Sequence, residues 1–200
     1  FDNEKDPFKV SFKPLQVNDY AEDLMLSLGH KRIFLSATIL DADTYCKELG
    51  LDPSETTFVR VRYSPFASEN RSVFTNYVGG NLSHRNMSND NLRKTANKIA
   101  EIANENPNSK GLILPYTNVL ENQLVDMLKE HHPLVAARII QHTKDSHERE
   151  STFKHFNDSK GNEILISTYA NQGYDGKTVG FIIVPKVPFQ PLGDVQVKKK

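Results

Sequence analysis

A single cysteine, no tryptophan and no net charge are the first features of this 200-residue sequence. The lone Cys46 excludes an internal disulfide and cannot by itself hold zinc or an iron–sulfur cluster. Such sparing use of cysteine favours a reducing, intracellular setting. No apolar run approaches the roughly 20 residues that a bilayer crossing requires, and no basic start leads into an apolar core of the signal-peptide kind. The sequence balances 25 basic residues against 25 acidic ones. A compact non-specific nucleic-acid binder usually carries a basic excess, so a nucleic-acid site on this chain is expected only as a local groove. The chain starts at Phe1 and stops on Lys198, Lys199 and Lys200 after a proline-containing turn, which reads as a piece of a longer polypeptide.

What is present points to an α/β fold. The composition is 38% apolar, and a chain of this length buries roughly 70% of its unfolded surface, enough for one sizeable core. Seven stretches read as strands. Residues 32–36 come first, residues 58–62 alternate with period two, and residues 72–78 alternate more weakly. Residues 111–114, 163–166 and 181–184 are continuous apolar runs, the pattern of strands covered on both faces in a parallel sheet. Residues 136–141 form the seventh, weaker stretch.

Helices are expected between them. Residues 90–104 place Leu92, Ala96, Ile99 and Ala103 on one stripe, ended by Asn106 and Pro107. Asn118 followed by Glu121 is a start signal for a helix continued by Leu120, Leu124 and Leu128. Asp145 with Glu148 starts another over residues 146–156, whose buried side is Phe153 and Phe156. A short helix over residues 43–49 ends at Gly50, a natural left-handed cap. Residues 79–88, rich in Gly, Asn and Ser, read as a flexible connector. From Gly111 onward strands and helices alternate, which argues for a doubly wound, mostly parallel sheet with right-handed crossovers.

Ligands of open parallel sheets sit at the carboxyl ends of strands. Four segments there stand out. Ser36, Ala37 and Thr38 are small residues at a strand end, whose hydroxyls can hydrogen-bond neighbouring loops. Ser64, Pro65 and Phe66 open a turn that closes on Glu69, Asn70 and Arg71. Pro115, Tyr116, Thr117 and Asn118 turn a strand into a helix N-terminus, where free N–H groups suit an anion. Gln172, Gly173, Tyr174, Asp175 and Gly176 place a carboxylate between glycines that permit close backbone approach. Five histidines between residues 131 and 155 are spaced 1, 10, 5 and 8 apart, which fits no usual zinc pattern; His142 follows a strand and can reach a phosphate.

The order of these segments resembles the motif blocks of XPD-like and DinG-like superfamily 2 DNA helicases over nearly the whole chain. Ser11, Phe12, Lys13, Pro14 and Leu15 resemble the segment that precedes motif III, and Ser36, Ala37 and Thr38 resemble motif III itself. Ser64, Pro65 and Phe66 with Glu69, Asn70 and Arg71 are the most specific match. Residues 110–120 resemble motif IV, Gln172, Gly173, Tyr174 and Asp175 resemble motif V, and Pro188, Phe189 and Pro191 resemble the block beyond it.

The resemblance implies a RecA-like fold for the second motor domain of such a helicase. Residues 1–40 then precede and include motif III, bridging from the first domain, while residues 41–200 form the second domain, truncated before motif VI. Asp175 and Gln172 carry the catalytic and coupling roles, and Gly173, Asp175, Ser36 and Thr38 face the nucleotide. Tyr116, Thr117, Asn118 and Arg71 face single-stranded DNA or the domain interface. ATP and Mg2+ are bound mainly by the first RecA-like domain of the same polypeptide, and movement is 5′ to 3′. An iron–sulfur cluster belongs to the parent protein, if to any part, and not to this chain. Two departures bear on roles: Tyr116 and Thr117 stand where the family has Ser-Tyr, and Gln172 replaces a glutamate. No Gly-x-x-x-x-Gly-Lys-Ser/Thr loop and no Asp-Glu-x-His pair occur, so the chain alone is expected to be inactive. The alternatives are a non-catalytic RecA-like interaction or DNA-binding module, and a nuclease or DNA-processing factor that carries the same helicase core.

Overall fold

The computed structural model describes residues 17–36, 39, 41–63, 67, 69, 72–75, 77–83, 87–142, 145–170, 174, 176 and 179–188. The chain divides into two compact units, one of residues 1–72 with 190–200 and one of residues 73–189, a division by packing and distinct from the motif-based one at residue 40.

In the first unit, α1 (Asn18–Leu24) packs against α2 (Ala42–Leu49), burying Ala21, Leu26 and Cys46. The Asp41 carboxylate caps α2 by accepting from the Thr44 N–H at 2.7 Å. Gly50 ends it with φ +70°, as the sequence led one to expect, and an added Cβ there would also sit 3.2 Å from the Asn18 carbonyl oxygen. Arg32 donates to the Leu26 carbonyl, and Phe34 meets Tyr45 edge-on at 6.0 Å.

The three expected strands ahead of residue 80 do not form among the described residues. Residues 32–36 and 58–62 run without a ladder partner, as do 72–75 and 77–78. Ile33, Leu35, Val59, Val61, Val73, Phe74 and Tyr77 are 82 to 90% exposed. Alternation marks a segment able to bury one face, but a strand exists only where a neighbour accepts its backbone hydrogen bonds.

The second unit holds the sheet. Its elements are α3 (Asn89–Glu105), β1 (Gly111–Ile113), α4 (Asn118–His131), α5 (Pro133–Ala136), β2 (Ile139–Ile140), α6 (Ser146–Asp158), β3 (Ile164–Ile166) and β4 (Phe181–Ile183). Four strands lie in the order β2-β3-β1-β4, all parallel. Ile113 is in register with both Ile166 and Ile183, and Ile140 with Leu165. This is an α/β architecture, and its four strands match four of the expected stretches.

Period-two alternation divides the sheet into two faces. Ile113, Ile164 and Ile166 join Leu92, Ala96, Ile99 and Ala103 of α3 and Leu120, Leu124 and Leu128 of α4 in one core. Leu112 and Leu165 point the other way, onto Phe156 of α6 and Ala170, with Phe153 and Tyr174 alongside. The interior strands β1 and β3 are therefore covered on both faces, which explains why they are apolar without interruption, while Ile182 on β4 is 58% exposed.

Caps position the helices. Asp145 accepts from the His147 and Glu148 N–H groups at the start of α6, as expected. At α4 the capping residue is Thr117, whose hydroxyl oxygen accepts from the Leu120 N–H at 3.2 Å; Asn118 is the first helical residue rather than the cap. Both types cap well, so sequence alone leaves a one-residue ambiguity.

The expected connector at residues 79–88 is packed where it is described. Leu82 is buried in the α3 core, Asn91 donates to the Asn81 carbonyl at 3.2 Å, and an added Cβ on Gly79 would sit 2.1 Å from Thr95 Oγ1. Glycine here allows close approach to α3 instead of mobility.

The amino edge of the sheet is tied by Arg138. Its guanidinium donates to the carbonyls of Asn162 (2.8 Å), Ala103 (2.7 Å), Asn106 (3.1 Å) and Ser109 (3.1 Å). Partial burial draws its pKa down from the usual arginine value. Lys110 likewise donates to the Phe156 and Asn157 carbonyls at the end of α6.

Candidate functional site at the carboxyl edge of the sheet

The opposite, carboxyl edge gathers a polar network on top of an apolar core. Its centre is Glu121, 5% exposed in the first turn of α4. One carboxylate oxygen accepts from the Thr168 N–H at 3.1 Å, and the other from Gln141 Nε2 at 3.3 Å. Thr168 returns the contact by donating its hydroxyl to Asn118 Oδ1 at 2.7 Å. The first turn of α4 thus holds the chain leaving β3 at two points, and reaches the chain leaving β2 at a third. Burial raises the Glu121 pKa, opposed by the hydrogen bonds from Gln141 and Thr168 and by nearby His142.

Beside it, Ser167 is fully buried. Its Oγ accepts from the Tyr169 N–H (3.0 Å) and the Ala170 N–H (3.2 Å), and lies 2.7 Å from His142 Nε2. The two backbone N–H groups and the imidazole together use the hydrogen-bonding capacity of the Ser167 hydroxyl. The imidazole packs edge-on against Phe153 (5.6 Å) and Tyr169 (5.4 Å). Tyr174 meets Phe153 at 4.9 Å and donates to Asn157 Oδ1 at 2.8 Å, and burial raises its pKa.

Of the residues singled out in the sequence, Tyr116, Thr117 and Asn118 stand together at this edge. Tyr116 is exposed with Lys186 Nζ 5.6 Å from its ring centre, Thr117 caps α4, and Asn118 accepts from Thr168. Ser36 lies in the other unit and is exposed. Thr38, Arg71, Gln172, Gly173 and Asp175 lie outside the described residues.

Sequence reasoning missed Glu121 as a site residue, together with Gln141, Ser167, Thr168 and Tyr169. One signal was available: Glu121 stands in the stripe formed with Val125 and Leu128, where a carboxylate is out of place. Of the clustered histidines, His132 is 2.8 Å from Asn97 Oδ1, and His142 is part of the network above. No group of three or more His, Cys, Asp or Glu side chains suited to a metal ion occurs among the described residues. No helix there is long and apolar enough to cross a membrane.

These features define an α/β unit with a four-stranded parallel sheet and a polar network at the ligand-binding edge usual for that architecture. No family model, curated protein or solved structure matches the chain.

Proposed function

We propose that this chain is the second RecA-like motor domain of an XPD/DinG-like DNA helicase, supplying one wall of an ATP cleft and part of a single-stranded DNA track. The observation that supports the reading most is the bonding of the motif IV-like turn to the segment leading into the motif V-like residues. Asn118 and Glu121 hold Thr168, which stands four residues ahead of Gln172. A motor that couples nucleotide state to DNA needs these two segments to move as one body, and a four-stranded parallel sheet is the scaffold that brings them together.

In this reading Gly173 and Asp175 face the nucleotide, with Ser36 and Thr38 relaying its state, and Gln172 keeps the hydrogen-bonding capacity of the family's glutamate without its charge. Tyr116, Thr117, Asn118 and Arg71 lie on the DNA side. ATP and Mg2+ are held mainly by the first domain of the parent polypeptide.

The test is ATP hydrolysis stimulated by single-stranded DNA, in the parent polypeptide and in this 200-residue chain. The parent is expected to turn over and the chain alone to be inactive. Asp175→Ala in the parent is expected to lower stimulated turnover on the order of tenfold or more, since a positioned carboxylate contact is lost. An intact, folded parent without turnover would replace the motor with a non-catalytic interaction or DNA-binding module.

A further inference from the structure

Three chain segments leave the carboxyl edge of the sheet side by side, and the 2.7 Å bond from the Thr168 hydroxyl to Asn118 ties two of them together. Ile166, Ile113 and Ile183 are mutually aligned on neighbouring strands β3, β1 and β4. Three residues beyond each stand Tyr169, Tyr116 and Lys186. Both tyrosines keep more than a third of their surface exposed, 38% for Tyr169 and 39% for Tyr116. Each carries a cation over its ring: Arg149 lies 4.5 Å from the Tyr169 centroid, and Lys186 lies 5.6 Å from that of Tyr116. Neither cation pairs with a carboxylate among the described residues.

We propose that Tyr169 and Tyr116, bracketed by Arg149 and Lys186, form a base-stacking platform for two consecutive nucleotides of a single strand. The inference rests on the DNA-track reading above and names the residues that would do the binding. Stacking on aromatic rings tolerates any base, because every base offers a π face, and flanking cations meet the phosphates. Both tyrosines are held in place before any ligand arrives. The Tyr169 N–H is bonded to Ser167 Oγ, and its ring leans on His142. Tyr116 sits between buried Pro115 and the Thr117 cap of α4. A platform so fixed loses little conformational entropy on binding. Two cations at one edge also fit a chain with no net charge, where an electrostatic contact with nucleic acid has to be local.

The chain contains no tryptophan, so Tyr169→Trp creates a single fluorescent reporter on the proposed platform. Titration with oligo-dT is expected to quench that fluorescence, while an abasic oligomer of the same length leaves it unchanged. In fluorescence anisotropy, Tyr116→Leu and Tyr169→Leu are each expected to weaken oligo-dT binding on the order of tenfold with little effect on the abasic oligomer. Arg149→Met with Lys186→Met is expected to weaken both oligomers and to reduce the log–log salt slope by about 0.7 per lost phosphate contact. Oligo-dT that binds without quenching, and equally well to both leucine variants, would remove the platform and leave the DNA track elsewhere on the chain. If the wild-type chain bound neither oligomer, the platform and the DNA-track reading would fail together.

Discussion

Glutamine and alanine at position 121 separate two contributions of that buried carboxylate, its charge and its hydrogen bonds. Alanine removes the acceptor of the part-buried Thr168 N–H, which costs about 1–3 kcal/mol. Gln141 is exposed and turns its amide to water at little cost. Glutamine keeps one oxygen for Thr168, and its own amide can serve Gln141 once that side chain flips. Glu121→Gln is therefore expected to lie within about 1 kcal/mol of wild type at neutral pH, and Glu121→Ala about 2 kcal/mol below it.

The pH dependence fixes the sign. Burial raises the folded-state pKa of Glu121, so the folded chain binds its proton more tightly than the unfolded chain does. That contribution to stability is complete below the ordinary carboxyl pKa and is lost as pH rises through the raised folded value. Relative to Glu121→Gln, wild type should thus gain stability as pH falls toward the ordinary carboxyl range. Urea unfolding midpoints between about pH 4 and pH 8, at constant m, measure the difference. A wild-type minus glutamine difference that stays flat across the range would refute the burial argument. Equal losses in the glutamine and alanine variants would refute the hydrogen-bonding one.

Two further predictions concern the scaffold. Arg138→Met leaves four carbonyl oxygens without their shared donor and is expected to cost about 3 kcal/mol, with Arg138→Lys recovering less than half because an ammonium cannot span them. An unchanged urea midpoint in Arg138→Met would show that the guanidinium ties nothing. Gly111→Ala drives a methyl to 2.2 Å from Phe181 Cζ and should cost about 1–3 kcal/mol, and Phe181→Leu in the same chain should relieve most of it. Additive effects in that double-mutant cycle would mean the clash is taken up elsewhere.

The parts of this fold legible in the sequence are those where local chemistry and burial agree. The runs around Leu112 and Leu165 read as parallel strands because both faces of the interior strands are covered; the run around Ile182 is equally apolar although Ile182 itself is 58% exposed. Gly50, Asp145 and the stripe of Leu92, Ala96, Ile99 and Ala103 read correctly because caps and helical period are local signals. Alternation around Val59 and Val73 says nothing of whether a partner strand is available, and among the described residues none is. The Glu121 network joins residues 47 apart through one hydrogen bond, a distance no local pattern encodes. Tyr116, Thr117 and Asn118 stand out in the sequence because strand ends are where ligands of such sheets bind; Tyr169, just past the end of the neighbouring strand, needed the strand pairing to be seen beside them.

That register also sets a schedule for synthesis. β1 is an interior strand in the finished sheet, yet its partners arrive late: Gly111 pairs with Ile164 on one side and with Phe181, 70 residues downstream, on the other. At about 5–20 residues per second, β4 leaves the ribosome on the order of 4–14 s after β1. For those seconds a strand that is interior in the finished sheet is an unpaired edge at Leu112 and Ile113, open to any strand that arrives first. Messages or variants truncated between residues 166 and 181 would make that interval permanent, and their products should aggregate through β1 rather than simply lose a terminal strand.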